Sequence, residues 1–104
     1  LLKEGHLNLA LSHLLLGDFT RAATLLEQLL RLHPDYLAAG FMLAVTYACL
    51  AWADKAAAMM HRLGQTQAAS ALPAAIEDIH CRLRSAGHAP AGQQVLLTFH
   101  SFLK

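Results

Sequence analysis

Seven histidines and two cysteines are the side chains of this chain best suited to hold a metal or to act as nucleophiles. Their spacing fits neither task. His6 and His13 stand two helical turns apart on one face, too far for one ion, whose ligands must come from adjacent turns. His80 and Cys81 are neighbours, and neighbours in a helix diverge by about 100°. Neither His-Glu-x-x-His nor Cys-x-x-Cys occurs, and there is no Gly-x-Ser-x-Gly elbow or phosphate-cradling glycine loop. Glu77 and Asp78 form the one acidic pair. They diverge in the same way and cannot flank one substrate bond, and Asp78 is placed to pair with Arg82 one turn on, along a solvated face. The histidines therefore read as surface or capping residues, and the expectation is no enzyme, no metal and no cofactor.

The composition narrows the remaining classes. At 104 residues the chain is one small domain, able to bury roughly 65% of its unfolded surface. It is 56% apolar and 14% charged, against about 45–50% and about 25% in ordinary domains. That is more apolar surface than so small a domain hides with ease, so either a patch is exposed or a partner covers part of it. The net charge is +1 and the bases are spread along the chain, which excludes a phosphate-tracking surface for nucleic acid. Cys49 and Cys81 lie in apolar helical patterns, where a buried reduced thiol is the default. With no signal peptide in view, a reducing, cytoplasmic setting follows. Residues 36–53 carry no charge before Asp54 and reach the minimum length of a membrane span. The segment is Ala-rich and broken by Gly40, so a buried helix is expected there and no membrane insertion.

The apolar spacing gives six helices and no strand, an all-α chain. The first covers 3–16, with Leu7, Leu11, Leu14 and Leu15 on one stripe. Gly17-Asp18 turns the chain and Asp18 caps the second, over 19–32, which stops at His33-Pro34. Asp35 is placed to cap a third helix running to about Leu50. The fourth spans 54–63 and is ended by Gly64. Ser70 and Pro73 open a fifth over 74–86, ended by Gly87. Pro90 opens the last, with Val95, Leu96, Phe99, Phe102 and Leu103 as its stripe.

The elements repeat. Shifted by 34 residues, Leu9 falls on Leu43, Ala10 on Ala44, Leu11 on Val45 and Leu16 on Leu50. Further on, Ala22 falls on Ala56, Ala23 on Ala57, Leu25 on Met59, Leu26 on Met60 and Leu29 on Leu63. A helix pair repeating at this period resembles the tetratricopeptide repeat, or TPR. The run Leu16-Gly17-Asp18-Phe19-Thr20-Arg21-Ala22-Ala23, followed by Leu26, Leu29 and His33-Pro34, carries the likeness. His13 stands where an aromatic is usual. In the second unit Ala51 replaces the turn glycine, and no proline follows. The resemblance implies antiparallel helix hairpins stacked as a short superhelix in one domain over 1–104. Its units are about 3–36 and 37–70, with a degenerate third hairpin over 71–104 in which Gly92 is the candidate small crossing residue.

In that family the first helix of each hairpin lines a concave face that binds another protein. Carried over by position, the groove here is Leu7, Asn8, Leu11, Leu14 and Leu15 from the first unit. The second unit adds Ala38, Phe41, Met42, Val45, Ala48 and Cys49. Nearly all are apolar, whereas a TPR gripping acidic C-terminal tails needs Lys, Arg and Asn to pair with carboxylates. The expected occupant is an amphipathic helix or an apolar segment. The alternative is that these residues are core and the chain's own last helix fills the groove. The last helix carries little charge, a weak solubilising cap for a repeat array. A docked chain is therefore expected, as a hetero-oligomer or, failing that, as a homodimer joined through the apolar surface. The Leu-rich first helix and the stripe ending at His33-Pro34-Asp35-Tyr36-Leu37-Ala38 resemble the small TPR chaperones of bacterial type III secretion systems. That likeness implies a needle or early export subunit as the protein held.

Overall fold

In the computed structural model, which describes residues 2–66, 69–84 and 88–103, six α-helices form and no strand occurs among those residues. They are α1 (Lys3–Leu15), α2 (Phe19–Leu32), α3 (Leu37–Cys49), α4 (Ala53–Gln65), α5 (Leu72–Leu83) and α6 (Gly92–Ser101), with a short 3-10 turn at Ala69–Ala71 before α5. The helices α1 and α2 make one antiparallel hairpin, α3 and α4 a second, and α2 packs along α3 to stack them. The third pair is the degenerate one. Its two helices touch each other little, and each packs on α3 instead.

The hairpin turns show the repeat at the level of single hydrogen bonds. Gly17 N–H donates to Leu14 C=O at 3.1 Å and Asp18 N–H to His13 C=O at 2.9 Å. Thirty-four residues on, Ala51 N–H donates to Ala48 C=O at 3.0 Å and Trp52 N–H to Tyr47 C=O at 2.9 Å. These bonds satisfy the last carbonyls of α1 and α3, and they require one left-handed residue at the turn. Gly17 takes φ +86° and Ala51 takes φ +61°. The substitution noted in the second unit thus leaves the turn unchanged and puts an alanine where a β-carbon is strained.

At α2 the expected cap is present: Asp18 accepts from Arg21 N–H at 3.4 Å. Elsewhere the helix ends differ from expectation. Tyr36, not Asp35, stands at the N-cap of α3, and neither it nor Ala71 before α5 contributes a side-chain cap, so Ser70 has no such role. Gly64 does not end α4: it does not take the left-handed conformation of a glycine cap, and the helix runs on to Gln65 before the extended Thr66. Pro73 lies in the first turn of α5, where its missing N–H costs no bond. Pro90 precedes α6, which opens at Gly92. Gly87 and Lys104 lie outside the described residues.

The centre of the molecule is α3. Residues 37–47 are buried without interruption. A helix apolar all round must be covered all round, and here α2, α4, α5 and α6 do so. The fully buried Thr46 Oγ1 is satisfied by donating to Met42 C=O at 2.8 Å. Gly40 lets α4 come close: a β-carbon there would stand 2.7 Å from Leu63 Cδ2.

The two turns carry a paired prediction. Ala51→Gly relieves roughly 1–2 kcal/mol of left-handed strain and gives back up to about 1 kcal/mol of unfolded-state entropy, so a net stabilisation of up to about 1 kcal/mol is expected. Gly17→Ala should destabilise by about 1 kcal/mol through the backbone alone, because its β-carbon would meet only Ala91 Cβ at 3.8 Å. Thermal midpoints check both, a shift of about 4–8 °C being expected per kcal/mol in a domain of this size.

Candidate functional site

The expected groove residues come together, but not as an open groove. Leu7, Leu11, Leu14, Ala38, Phe41, Met42 and Val45 are buried; Leu15, Ala48 and Cys49 are half-buried. Asn8 alone is exposed. The cover over this face is the chain's own α5 and α6. Phe99 of α6 meets Phe41 edge to face at 5.5 Å between centroids, and Phe102 meets the same ring at 6.0 Å. Val95 and Phe99 of α6 and Ile79 and Leu83 of α5 are all fully buried. The face expected to be a groove is therefore filled by the chain's own last two helices.

Polar groups hold the edges of that joint. Ala91 N–H, at the start of α6, donates to Leu15 C=O at the end of α1 at 2.9 Å. Cys49 Sγ–H donates to Thr98 Oγ1 at 3.6 Å. On the other side Arg82 of α5 donates to Asn8 Oδ1 and, at 3.1 Å, to Asp78 Oδ1. Arg82 is thus shared between the expected Asp78 pair and the one polar residue of the groove. Burial pushes the Cys49 thiol above its ordinary value, with the Thr98 hydrogen bond acting the other way. Cys81, expected to be buried, is exposed, because its position on α5 points away from α3. Burial also raises the Tyr36 phenol, which Arg82 opposes.

The convex side holds a second polar joint. Tyr47 of α3 donates through its hydroxyl to Glu27 of α2 at 2.5 Å. Burial first, and then this bond, pushes the phenol well above its ordinary value near 10. Such a shift favours the neutral donor, so its contribution is present below about pH 10 and is lost only as pH rises through the folded value. Lys55 stands 5.6 Å over the Tyr47 ring and 5.0 Å over Trp52. With Leu30, Arg31, Leu43, Met59 and Arg62, Glu27 and Tyr47 line an open depression between α2, α3 and α4.

Among the described residues no three His, Cys, Asp or Glu side chains converge as metal ligands would. Sequence spacing missed one histidine pair. The His80 ring stacks on Phe99 at 5.3 Å and meets the His100 ring at 5.7 Å. The two lie on different helices, so no single-helix spacing could reveal them. Among the described residues no helix is long and apolar enough to cross a membrane.

The phenylalanine contact generates a prediction. Phe99→Ala should cost about 3–5 kcal/mol, the usual loss for a fully buried ring. Because the α1–α4 joints do not involve Phe99, amides of α5 and α6 should lose hydrogen-exchange protection well before those of α3.

The comparisons with known proteins bear on the first hairpin and the helix after it. No curated protein and no solved structure matches the chain significantly. Residues 3–46, which span α1, α2 and most of α3, match the family model described as tetratricopeptide repeat, a repeat that generally mediates protein–protein interaction.

Proposed function

We propose that this chain is a protein-binding chaperone or adaptor, not an enzyme. In this reading its concave face seats an amphipathic helix or apolar segment of a partner protein, and α5 and α6 hold that seat in the free chain. One observation carries the reading: α6 packs on α3, with Phe99 and Phe102 against Phe41 and Thr98 against Cys49, and with Val95 and Phe99 fully buried. A surface that accepts one amphipathic helix accepts another of like pattern. A displacing helix regains the area that α6 gives up, so exchange does not forfeit the apolar burial. The modest contact between α5 and α6 means that either can leave without breaking a hairpin.

The likeness of the first half to the small TPR chaperones of type III secretion makes a needle or early export subunit the first partner to try, in a cytoplasmic hetero-oligomer. A structural subunit that self-associates is the second reading, favoured by Leu97 and Leu103 standing exposed on and just after α6.

The Cys49–Thr98 contact supplies the test. In a chain carrying Cys81→Ser and Thr98→Cys the new sulfur replaces an oxygen that stands 3.6 Å from Cys49 Sγ, and a disulfide closed there would lock α6 onto α3. Because burial raises the Cys49 thiol, the bridge should form best under mildly alkaline oxidation. Co-purification with candidate export subunits should fall at least tenfold in the bridged chain and return on reduction. Equal binding by bridged and reduced chains would remove the concave seat from the proposal.

A further inference from the structure

The convex side holds two arginines with no acid to bond. Arg31 of α2 and Arg62 of α4 both line the depression whose floor is Leu43 and Tyr47 of α3. The ion pairs among the described residues use Arg21, Arg82, Arg84 and two histidines, but neither Arg31 nor Arg62. Local spacing explains why. Glu27 stands one turn before Arg31, the spacing of a helical ion pair, yet its carboxylate turns to Tyr47 and accepts that hydroxyl. Asp35, four residues after Arg31, lies past the end of α2, which stops at Leu32. Around Arg62, the positions three and four residues away are Ala58, Met59, Gln65 and Thr66, none of them an acid. Lys55, 5.6 Å over the Tyr47 ring, adds a third cation beside the same depression. The one carboxylate lining it, that of Glu27, is already bonded.

The depression is part of a longer groove. Both α2 and α4 pack on α3 and touch each other little, so a channel is left between them. Leu30, Met59 and Arg62 line a second depression as well, which continues over Leu37 and Gly40 to Leu63, with Asp35 at its far end. The floor is one face of α3, since Leu37, Gly40, Leu43 and Tyr47 follow each other at three- and four-residue steps. The two depressions, about 320 and 230 Å³, reach at most the low end of small-molecule sites, roughly 300–1,000 Å³, and both lie open. Such a shape takes successive side chains of a peptide better than one enclosed ligand. The groove lies inside the stack, between the two units, and not on an end face that a further unit would cover. None of its lining residues comes from α5 or α6.

We propose that the groove between α2 and α4 is a docking site for an acidic, apolar segment of a partner protein. Its carboxylates bond to Arg31 and Arg62, and its apolar side chains lie on Leu30, Leu43 and Met59. Charge complementarity selects this occupant: a guanidinium offers parallel N–H donors that match a carboxylate, and two of them here stand on facing helices without one. A second copy of this chain is the poorer occupant, because its one acidic run, Glu77-Asp78, already holds His80, Arg82 and Arg84. The proposal rests on the reading of the chain as a protein-binding module but not on the concave side.

The probe is a random peptide library displayed on phage. It is selected on the full chain and counter-selected on the chain carrying Arg31→Gln and Arg62→Gln, whose folding should be unchanged because both side chains are exposed. Surviving peptides should carry adjacent Asp or Glu beside Leu, Ile or Phe. In fluorescence anisotropy the labelled peptide should bind the double variant at least tenfold more weakly, and binding to the unaltered chain should weaken as salt rises. The chain carrying Arg31→Glu and Arg62→Glu should lose the peptide and bind a version with Lys in place of its acids, an exchange that a merely structural effect would not produce. The disulfide between Cys49 and the cysteine of Thr98→Cys should leave the affinity within twofold, so this site and the concave one fail separately. No surviving peptide, survivors without acids, or loss of binding in the bridged chain overturns the proposal.

Discussion

The whole arrangement depends on one constraint: α3 has no polar face. From Leu37 to Tyr47 every residue is buried, and the helix carries no charge. Such a helix cannot be part of a two-helix surface; it must have neighbours on every side. Two come from the repeat, α2 before it and α4 after it. The rest come from α5 and α6, which abandon repeat geometry to reach it. Burial of Phe41 requires Phe99 and Phe102, and the small Gly40 requires Leu63 close by. The departure of the third pair from the repeat is therefore a consequence of the composition of α3.

Much of this was legible in the sequence, for a physical reason. Helix period, turn residues and the 34-residue shift are local or evenly spaced signals, and they located all six helices to within a few residues. Asp18 capped as expected because an aspartate between a turn glycine and an apolar run has one evident partner. Asp35 and Ser70 have the same cap-forming chemistry but stand off the cap position by one residue, a difference that spacing alone does not resolve. Of the candidate groove, every residue but the exposed Asn8 is buried or half-buried. What spacing could not supply was the cover, since Phe41 meeting Phe99, Asn8 meeting Arg82 and Cys49 meeting Thr98 join residues 49 to 74 apart. The His80–His100 pair was invisible on the same ground.

The joint that covers the concave side is apolar first and polar second. Arg82 with Asn8 and Ala91 with Leu15 sit at its margin. Net contributions of such bonds are about 1 kcal/mol each, so the apolar contacts dominate.

A chain with 56% apolar residues and 14% charged ones has to place apolar area somewhere. Folding α5 and α6 across the concave face hides part of it, the ring of Phe41 included. What remains in the open is scattered along the chain, at Leu2, Leu9, Leu16, Leu32, Trp52, Leu97 and Leu103. An isolated exposed leucine needs no account.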